Sequence, residues 1–166
     1  MEVYILRHAI AVARGTAGYP HDDRPLTDEG VKKMERAAKG IIAVAPNPDL
    51  ILTSPMKRAL ETARIAARAF GTESTIEPCE QLRPGKSVEN LLLYLAKYKD
   101  LERLLLVGHE PGMSGIASAL LGFDRALFDF KKGALCRIDV ATLPPVNPGT
   151  LIWHLSPKHL RMIGRN

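Results

Sequence analysis

Short apolar runs alternate with longer segments of helical periodicity along most of this chain. Three of the apolar runs predict buried strands, at residues 3–6, 50–53 and 104–107. Four segments with apolar residues at helical spacing predict helices, at residues 28–44, 55–70, 88–98 and 111–122. Because strand and helix alternate through residue 122, the pattern predicts a largely parallel sheet that is covered by helices on both faces.

Polar residues and one glycine mark the ends of these predicted helices. Thr27 and Ser87 are predicted N-caps. Ser54 followed by Pro55 predicts an N-cap with proline at the first helical position. Gly71 is predicted to end the second helix, because glycine readily adopts the left-handed conformation that is common at this point.

The remaining segments complete the predicted fold. Residues 9–25 mix glycine, proline and polar residues and predict a loop, whereas residues 75–85 are predicted to be irregular. Two β-like runs at 134–140 and 150–155, joined by a proline-rich loop at 143–149, predict an antiparallel pair. The predicted fold class is therefore α/β, a three-layer α/β/α sandwich whose mostly parallel central sheet has an antiparallel edge. One domain spanning residues 1–166 is expected.

The composition is that of an ordinary soluble globular protein, since 46% of the residues are hydrophobic and 25% are charged. No apolar run approaches the roughly 18 residues that a membrane-spanning helix needs, and the N-terminus lacks the features of a secretory signal. Cys79 and Cys136 form no Cys-x-x-Cys pattern, which favours reduced thiols without a disulfide. We therefore expect a cytoplasmic protein that does not associate with membranes.

The charge favours anionic partners. The formal net charge is +5 and the isoelectric point is near 9.4. Lysine and arginine are scattered, and aromatic residues make up only 5% of the chain, so neither a stacking platform nor an arginine-rich segment for nucleic acid is present. No cluster of Asp, His or Cys has metal-ligand spacing. We therefore expect no nucleic acid, no metal and no cofactor, and the charge is compatible with a phosphate pocket, which needs only a few cations.

Arginine and histidine follow the predicted strands at matching places. Arg7 and His8 end the first strand, Arg58 lies in the first turn of the helix after the second, and His109 follows the third. Right-handed crossovers place the carboxyl ends of these strands on one rim of the sheet, where α/β proteins bind ligands. Each residue alone is compatible with a surface, capping or core role. The pattern as a whole favours a binding site for an anion.

Four motifs that contain these residues occur in a fixed order along the chain. They are Leu6-Arg7-His8, Asp23-Arg24-Pro25-Leu26-Thr27-x-x-Gly30, Leu52-Thr53-Ser54-Pro55-x-x-Arg58-Ala59-x-x-Thr62-Ala63 and Gly108-His109-x-Pro111. Together they resemble the histidine phosphatase superfamily, formerly grouped under the phosphoglycerate mutases, in register from residue 2 to about 121. The short chain and the Arg-Pro-Leu-Thr element resemble its SixA-like phosphohistidine phosphatase branch.

The resemblance implies a phosphoglycerate mutase-like fold and a covalent mechanism. His8 would be the nucleophile that takes the phosphoryl group, and Arg7, Arg58 and His109 would hold the phosphoryl oxygens. Phosphoryl transfer mainly requires in-line positioning and neutralisation of charge on the oxygens, and arginine donates to phosphate in a matching planar geometry. Arg24 resembles a further phosphate-facing arginine of the SixA-like branch.

Two features of the residues leave alternatives open. Arg24 could instead form a salt bridge with Asp22 or Asp23. Glu80 is a possible general acid, although Gln81 could occupy the aligned position and Glu80 could be a plain loop residue. Without an acid, the enzyme should prefer a substrate with an easy leaving group such as phosphohistidine.

The proposed nucleophile must be neutral in order to attack. Arg7 and Arg58 should lower the pKa of His8, and one ring nitrogen should donate to a backbone carbonyl. His109 could work as a cation, since a bound phosphate would favour its protonated form. Ala9 stands where many members of the family have glycine, so this position must have a backbone conformation that alanine tolerates.

These observations predict a metal-independent phosphatase that acts through a covalent phosphohistidine intermediate. Its predicted substrate is a phosphorylated histidine of a signalling protein, such as a histidine-phosphotransfer domain. One alternative is a phosphomonoesterase for a small metabolite such as a sugar or nucleotide phosphate. The other is a non-catalytic phosphate-binding module with the same fold.

Overall fold

The computed structural model describes residues 1–71 and 75–165. Within this part of the chain, six strands are β1 (Glu2–Arg7), β2 (Leu50–Thr53), β3 (Thr75–Pro78), β4 (Arg103–Gly108), β5 (Leu135–Asp139) and β6 (Thr150–Leu155). The helices are α1 (Asp28–Val44), α2 (Lys57–Phe70), α3 (Val88–Leu95), α4 (Gly112–Leu120) and α5 (Pro157–Ile163). None of these helices is long and apolar enough to cross a bilayer.

The strands form one mixed sheet in the order β3-β2-β4-β1-β5-β6. The first four strands are parallel, β5 is antiparallel to β1, and β6 is antiparallel to β5. Alternate residues of β1 and β4 enter two separate hydrophobic clusters. One cluster contains buried residues of α3 and α4, and the other contains buried residues of α1, α2 and α5. The predicted three-layer α/β/α sandwich with an antiparallel edge is confirmed.

Several predicted helix boundaries are confirmed by their capping contacts. The Thr27 side chain accepts a hydrogen bond from the backbone N–H of Gly30 at 2.9 Å, at the start of α1. The Ser87 side chain accepts from Asn90 at the start of α3. Gly71 ends α2 with a φ of 65°, a left-handed conformation that favours glycine.

Three features of the fold differ from the predictions. Residues 75–85 are not irregular throughout, because β3 pairs with β2 and a 3-10 turn follows at Glu80–Leu82. This edge strand is short and contains Glu77 and Pro78, so it has no apolar pattern. The helix predicted to reach residue 98 ends at Leu95 and continues as a 3-10 turn. Helix α5 was not predicted, since seven residues provide too little periodicity.

Gly40 of α1 allows a close approach between α1 and α5. A Cβ atom at this position would lie 1.9 Å from the carbonyl oxygen of Leu160. Overpacking lowers the free energy of unfolding by up to about 3 kcal/mol, and the better helix propensity of alanine raises it by about 1 kcal/mol. Gly40→Ala is therefore expected to lower the free energy of unfolding by about 2 kcal/mol in urea denaturation.

Gly112 of α4 provides the matched control, because an alanine methyl group there would meet nothing within 4 Å apart from its chain neighbours and the backbone of its own helix. Gly112→Ala should leave the urea midpoint unchanged or raise it slightly. A Gly40→Ala protein that unfolds at the wild-type midpoint would show that the α1–α5 contact adjusts without cost.

Candidate active site

The ends of β1, β4 and β2 lie side by side at one rim of the sheet. Arg7 of β1 pairs with Gly108 of β4, and the backbone N–H of His8 donates to the Gly108 carbonyl at 2.9 Å. On the other side of β4, the backbone N–H of Ser54 donates to the Val107 carbonyl at 2.9 Å. The predicted convergence of three strand ends is confirmed, and parallel pairing is its cause.

Two buried histidines face each other at this rim. The ring centroids of His8 and His109 lie 4.9 Å apart, and the residues are only 7% and 4% exposed. His8 Nδ1 lies 2.7 Å from the carbonyl oxygen of Ala9. Because a carbonyl only accepts hydrogen bonds, Nδ1 must carry the proton. The lone pair of neutral His8 is therefore on Nε2, the nitrogen that is free to attack.

Helix α2 holds Ala9, the residue whose carbonyl contacts His8. The backbone N–H of Ala9 donates to Thr62 Oγ1 at 3.0 Å, and Thr62 Oγ1 donates to the Arg58 carbonyl at 2.7 Å. Ala9 is not among the residues with a positive φ, so alanine in place of glycine brings no backbone strain here. Thr62 therefore links the helix that carries Arg58 to the acceptor of His8.

Ser54 was predicted to be the N-cap of α2, and this prediction is wrong. The helix begins at Lys57, with Met56 as its N-cap residue. Ser54 Oγ lies 2.8 Å from His109 Nε2 and also accepts from the backbone N–H of Met56 at 3.3 Å. The hydroxyl is thus engaged two residues before the cap position. The only sequence signal for its contact with His109 was the position of Ser54 directly after a strand that ends at the same rim.

Arg58 is confirmed in the first turn of α2 and is 3% exposed. Its Nη1 donates to the Asp22 carbonyl at 2.9 Å, and its Nη2 lies 3.1 Å from Asp22 Oδ2. Arg24 Nε donates to Asp22 Oδ1 at 2.6 Å, and Arg24 Nη1 donates to the Val12 carbonyl. The salt-bridge alternative for Arg24 is therefore observed. A direct phosphate contact by Arg24 remains a prediction.

Asp22 brings a negative charge to this arginine pair through a strained loop. His21 and Asp22 have φ values of 55° and 61°, a region that non-glycine residues rarely occupy. The contacts with Arg24 and Arg58 help to offset this strain. Burial opposes ionisation of Asp22, but the hydrogen bond from Arg24 and the charges of Arg58 and Arg24 hold its pKa below the usual value. From the sequence, Asp22 was recognisable only as a possible salt-bridge partner of Arg24.

Three buried polar atoms of the site have no hydrogen-bond partner among the described residues. They are Arg7 Nε, Arg58 Nε and His109 Nδ1. Buried polar groups are usually satisfied, so their common location requires an explanation. Two of the three belong to permanently charged guanidinium groups, which bind phosphate well. The arrangement can accept a small oxyanion beside His8.

The surroundings of both histidines favour the neutral form of the ring. Burial, followed by the charges of Arg58 and Arg7, lowers the pKa of His8 from 6.5 to about 3. Burial, followed by the neighbouring His8 and Arg58, lowers the pKa of His109 to about 3 as well. The predicted effect of the arginines on His8 is present, although burial is the larger cause. The cationic form of His109 was expected only when phosphate is bound, so it stays a prediction.

These pKa values predict a defined pH dependence. The folded pKa of about 3 for His8 lies below its ordinary value of 6.5, so the unfolded chain binds more protons between these limits. The free energy of unfolding should therefore fall as pH decreases below about 6.5. The imidazole NMR signals of His8 should not shift between pH 8 and about 5, whereas the urea-unfolded chain should titrate near its ordinary pKa.

The His8→Gln variant assigns the His8 signals in this titration. It should also remove part of the pH dependence of unfolding. A titration midpoint near 6.5 for His8 in the folded protein would contradict a neutral, buried nucleophile.

Glu80 and Gln81 occupy different environments. The Glu80 side chain is 66% exposed and pairs with Arg83 at 2.6 Å. Gln81, in contrast, lines a cavity of about 190 Å³ together with His109. An amide cannot deliver a proton as an acid does. The geometry therefore does not favour Glu80 as the general acid, and that role remains a prediction.

No group of three or more His, Cys, Asp or Glu residues within 1–71 and 75–165 is arranged to hold a metal ion. The polar groups at the rim are instead mainly guanidinium groups, imidazoles and hydroxyls, and the Asp22 carboxylate is paired with Arg24 and Arg58. This donor set matches an anion better than a cation.

Comparisons with known proteins concern the sequence and the fold of this chain. The sequence model of the histidine phosphatase superfamily (branch 1) matches residues 3–83. An uncharacterized protein of Picosynechococcus sp. is 36% identical over 124 residues, which are 72% of this chain and 73% of that protein. The structure of the protein histidine phosphatase SixA complexed with tungstate aligns with a TM-score of 0.81 and 24% identity, over 96% of this chain and 99% of that one.

A candidate SixA phosphohistidine phosphatase from Agrobacterium tumefaciens aligns with a TM-score of 0.78 and 29% identity. This alignment covers 94% of this chain and 97% of that one. The family model spans the positions of Arg7, His8 and Arg58, and the structural alignments span nearly the whole fold. This chain is a phosphatase that belongs to the histidine phosphatase superfamily.

Proposed function

We propose that this phosphatase removes the phosphoryl group from a phosphorylated histidine of a signalling protein. His8 is the nucleophile, and Arg7, Arg58 and His109 bind the phosphoryl oxygens. The observation that supports this most is the His8 ring, whose Nδ1 is held by the Ala9 carbonyl beside two buried guanidinium N–H groups and one imidazole nitrogen without partners. A fixed, uncharged nucleophile beside permanent cations provides what phosphoryl transfer requires.

The reaction proceeds in two steps. The lone pair of His8 Nε2 forms a bond to phosphorus while the bond between phosphorus and the substrate nitrogen breaks. The substrate imidazole leaves with that electron pair and takes up a proton from the solvent. A water molecule then attacks the phosphorus of phosphorylated His8, returns one proton to the solvent and breaks the second P–N bond, which releases inorganic phosphate and neutral His8.

The side chains around His109 favour a leaving group that needs little acid assistance. Gln81 lines the cavity there, and Asp22 has a lowered pKa that keeps it ionised. Imidazole leaves more readily than an alkoxide, so phosphohistidine fits this environment better than a phosphate ester. Similarity to proteins described as SixA phosphohistidine phosphatases supports the same substrate class. No metal or cofactor takes part in this proposal.

The cavity beside His109 favours a second candidate function. Its volume of about 190 Å³ offers room for a small leaving group such as part of a metabolite. The alternative is therefore hydrolysis of a small phosphate ester by the same residues.

A substrate comparison distinguishes the two functions. We expect a phosphorylated histidine-phosphotransfer domain to be hydrolysed with a kcat/KM at least about 100-fold above those of sugar, nucleotide and amino acid phosphates. The assay is carried out with a chelator present. Faster hydrolysis of one metabolite would favour the alternative, and phosphate binding without any turnover would indicate a non-catalytic module.

A further inference from the structure

Glu110 follows His109 directly, and both of its carboxylate oxygens accept hydrogen bonds. Oε1 accepts from the backbone N–H of Phe130 at 2.9 Å. Oε2 accepts from the backbone N–H of Ser114 at 3.1 Å and from Ser114 Oγ at 2.8 Å. Glu110 therefore connects the end of β4, the start of α4 and the segment that begins at Phe130.

This Phe130 segment, residues 130–134, surrounds the end of β1. The Phe130 carbonyl accepts from Arg7 Nη1. The backbone N–H of Gly133 lies 3.1 Å from the Arg7 carbonyl and 3.2 Å from the His8 carbonyl, and the backbone N–H of Arg7 donates to the Ala134 carbonyl at 3.1 Å. The position of this segment thus determines where the Arg7 guanidinium lies.

We infer that Glu110 is a positioning residue for Arg7. The Phe130 ring is fully buried and anchors the side chain, while Glu110 holds the main-chain N–H of the same residue. Without the carboxylate, this N–H loses its partner and the neighbouring carbonyl is free to turn away from Arg7. Partners that orient a primary ligand in this way commonly affect binding by about 10-fold or more. The inference rests on the proposed role of Arg7 in phosphate binding.

The contacts of Glu110 do not suit a general acid or base. Both oxygens already accept hydrogen bonds, which direct the carboxylate towards Phe130 and Ser114. Glutamine at this position retains an oxygen that can accept from Phe130. The Glu110→Gln variant therefore separates positioning from proton transfer.

The test measures binding of inorganic phosphate by calorimetry and turnover of phosphoramidate. Glu110→Ala is expected to weaken phosphate binding and to lower kcat/KM by about 10-fold. Glu110→Gln should remain within about threefold of the wild type, since the link to Phe130 persists. Ser114→Ala is the matched control: it removes one contact of Glu110 on the α4 side and should lower the melting temperature without changing phosphate affinity.

A double-mutant cycle determines whether Glu110 acts through Arg7. In an Arg7→Gln background, adding Glu110→Ala should change phosphate affinity and kcat/KM by less than about twofold. Additive losses would overturn the inference, as would a Glu110→Gln variant as impaired as Glu110→Ala. A Glu110→Ala protein that is less stable but binds phosphate normally would also overturn it.

The same cycle distinguishes this inference from the proposed function. Unchanged phosphate binding in Arg7→Gln alone would contradict the proposed role of Arg7, and the role of Glu110 would fall with it. Weakened binding in Arg7→Gln together with normal binding in Glu110→Ala would overturn only the role of Glu110.

Discussion

Replacing His8 with alanine is expected to lower phosphatase turnover by about 10⁴-fold or more, because the proposed covalent route loses its nucleophile. The fold should persist, since the ring makes one side-chain hydrogen bond, to Ala9. The decisive measurement is trapping of the phosphorylated enzyme with a radiolabelled phosphodonor. The quench uses alkaline detergent, because the P–N bond of phosphohistidine hydrolyses in acid.

His159 provides the matched control for this prediction, as an exposed histidine on α5. His159→Ala should acquire the label like the wild type, whereas His8→Ala should acquire none. Both reactions include a chelator, because the proposed chemistry uses only side chains of this protein. Label retained on His8→Ala would exclude His8 as the nucleophile, and loss of labelling in chelator would contradict the metal-independent mechanism.

The placement of the site was predictable because it depends on strand order and strand ends. Residues 3–6, 50–53 and 104–107 are apolar enough to be recognised as buried strands, and a polar residue of the site follows each of them within two positions. Parallel strands bring these ends to one rim whatever the details of the loops. The convergence of His8 and His109 therefore follows from local patterns and a general topological rule.

The supporting contacts were not predictable in the same way, because they join residues that are distant in sequence. Asp22 contacts Arg58 across 36 positions, and Glu110 contacts Phe130 across 20. Ser54 was assigned to a cap because capping is the commonest local use of serine before a helix. The burial of His8 was not predictable either, because it also depends on residues that are distant in sequence. Burial is the largest cause of the low pKa of His8, whereas the sequence indicated only the charged neighbours.

Replacing Arg58 with alanine is expected to lower kcat/KM by about 100-fold or more. A hydrogen bond to a charged group contributes about 1.5–3 kcal/mol, and Arg58 is proposed to supply such contacts to the phosphoryl group. The change also leaves Asp22 at the site without its closest buried cation, so its negative charge should repel the substrate. Arg58→Lys should recover only part of the loss, because an ammonium cannot reproduce the planar two-point contact.

Asp22 allows the two causes of this loss to be separated. If repulsion by its carboxylate contributes, Asp22→Asn should raise the kcat/KM of the Arg58→Ala protein by about 10-fold. In the wild-type background, the same substitution removes the ion pair between Asp22 and Arg58.

Arg64 is the matched control, an exposed arginine on the same helix whose replacement by alanine should leave kcat/KM unchanged. A loss below about threefold in Arg58→Ala would contradict the proposed phosphate contact, because one charged hydrogen bond alone exceeds that value. Failure of Asp22→Asn to improve Arg58→Ala would instead show that the missing guanidinium accounts for the whole effect.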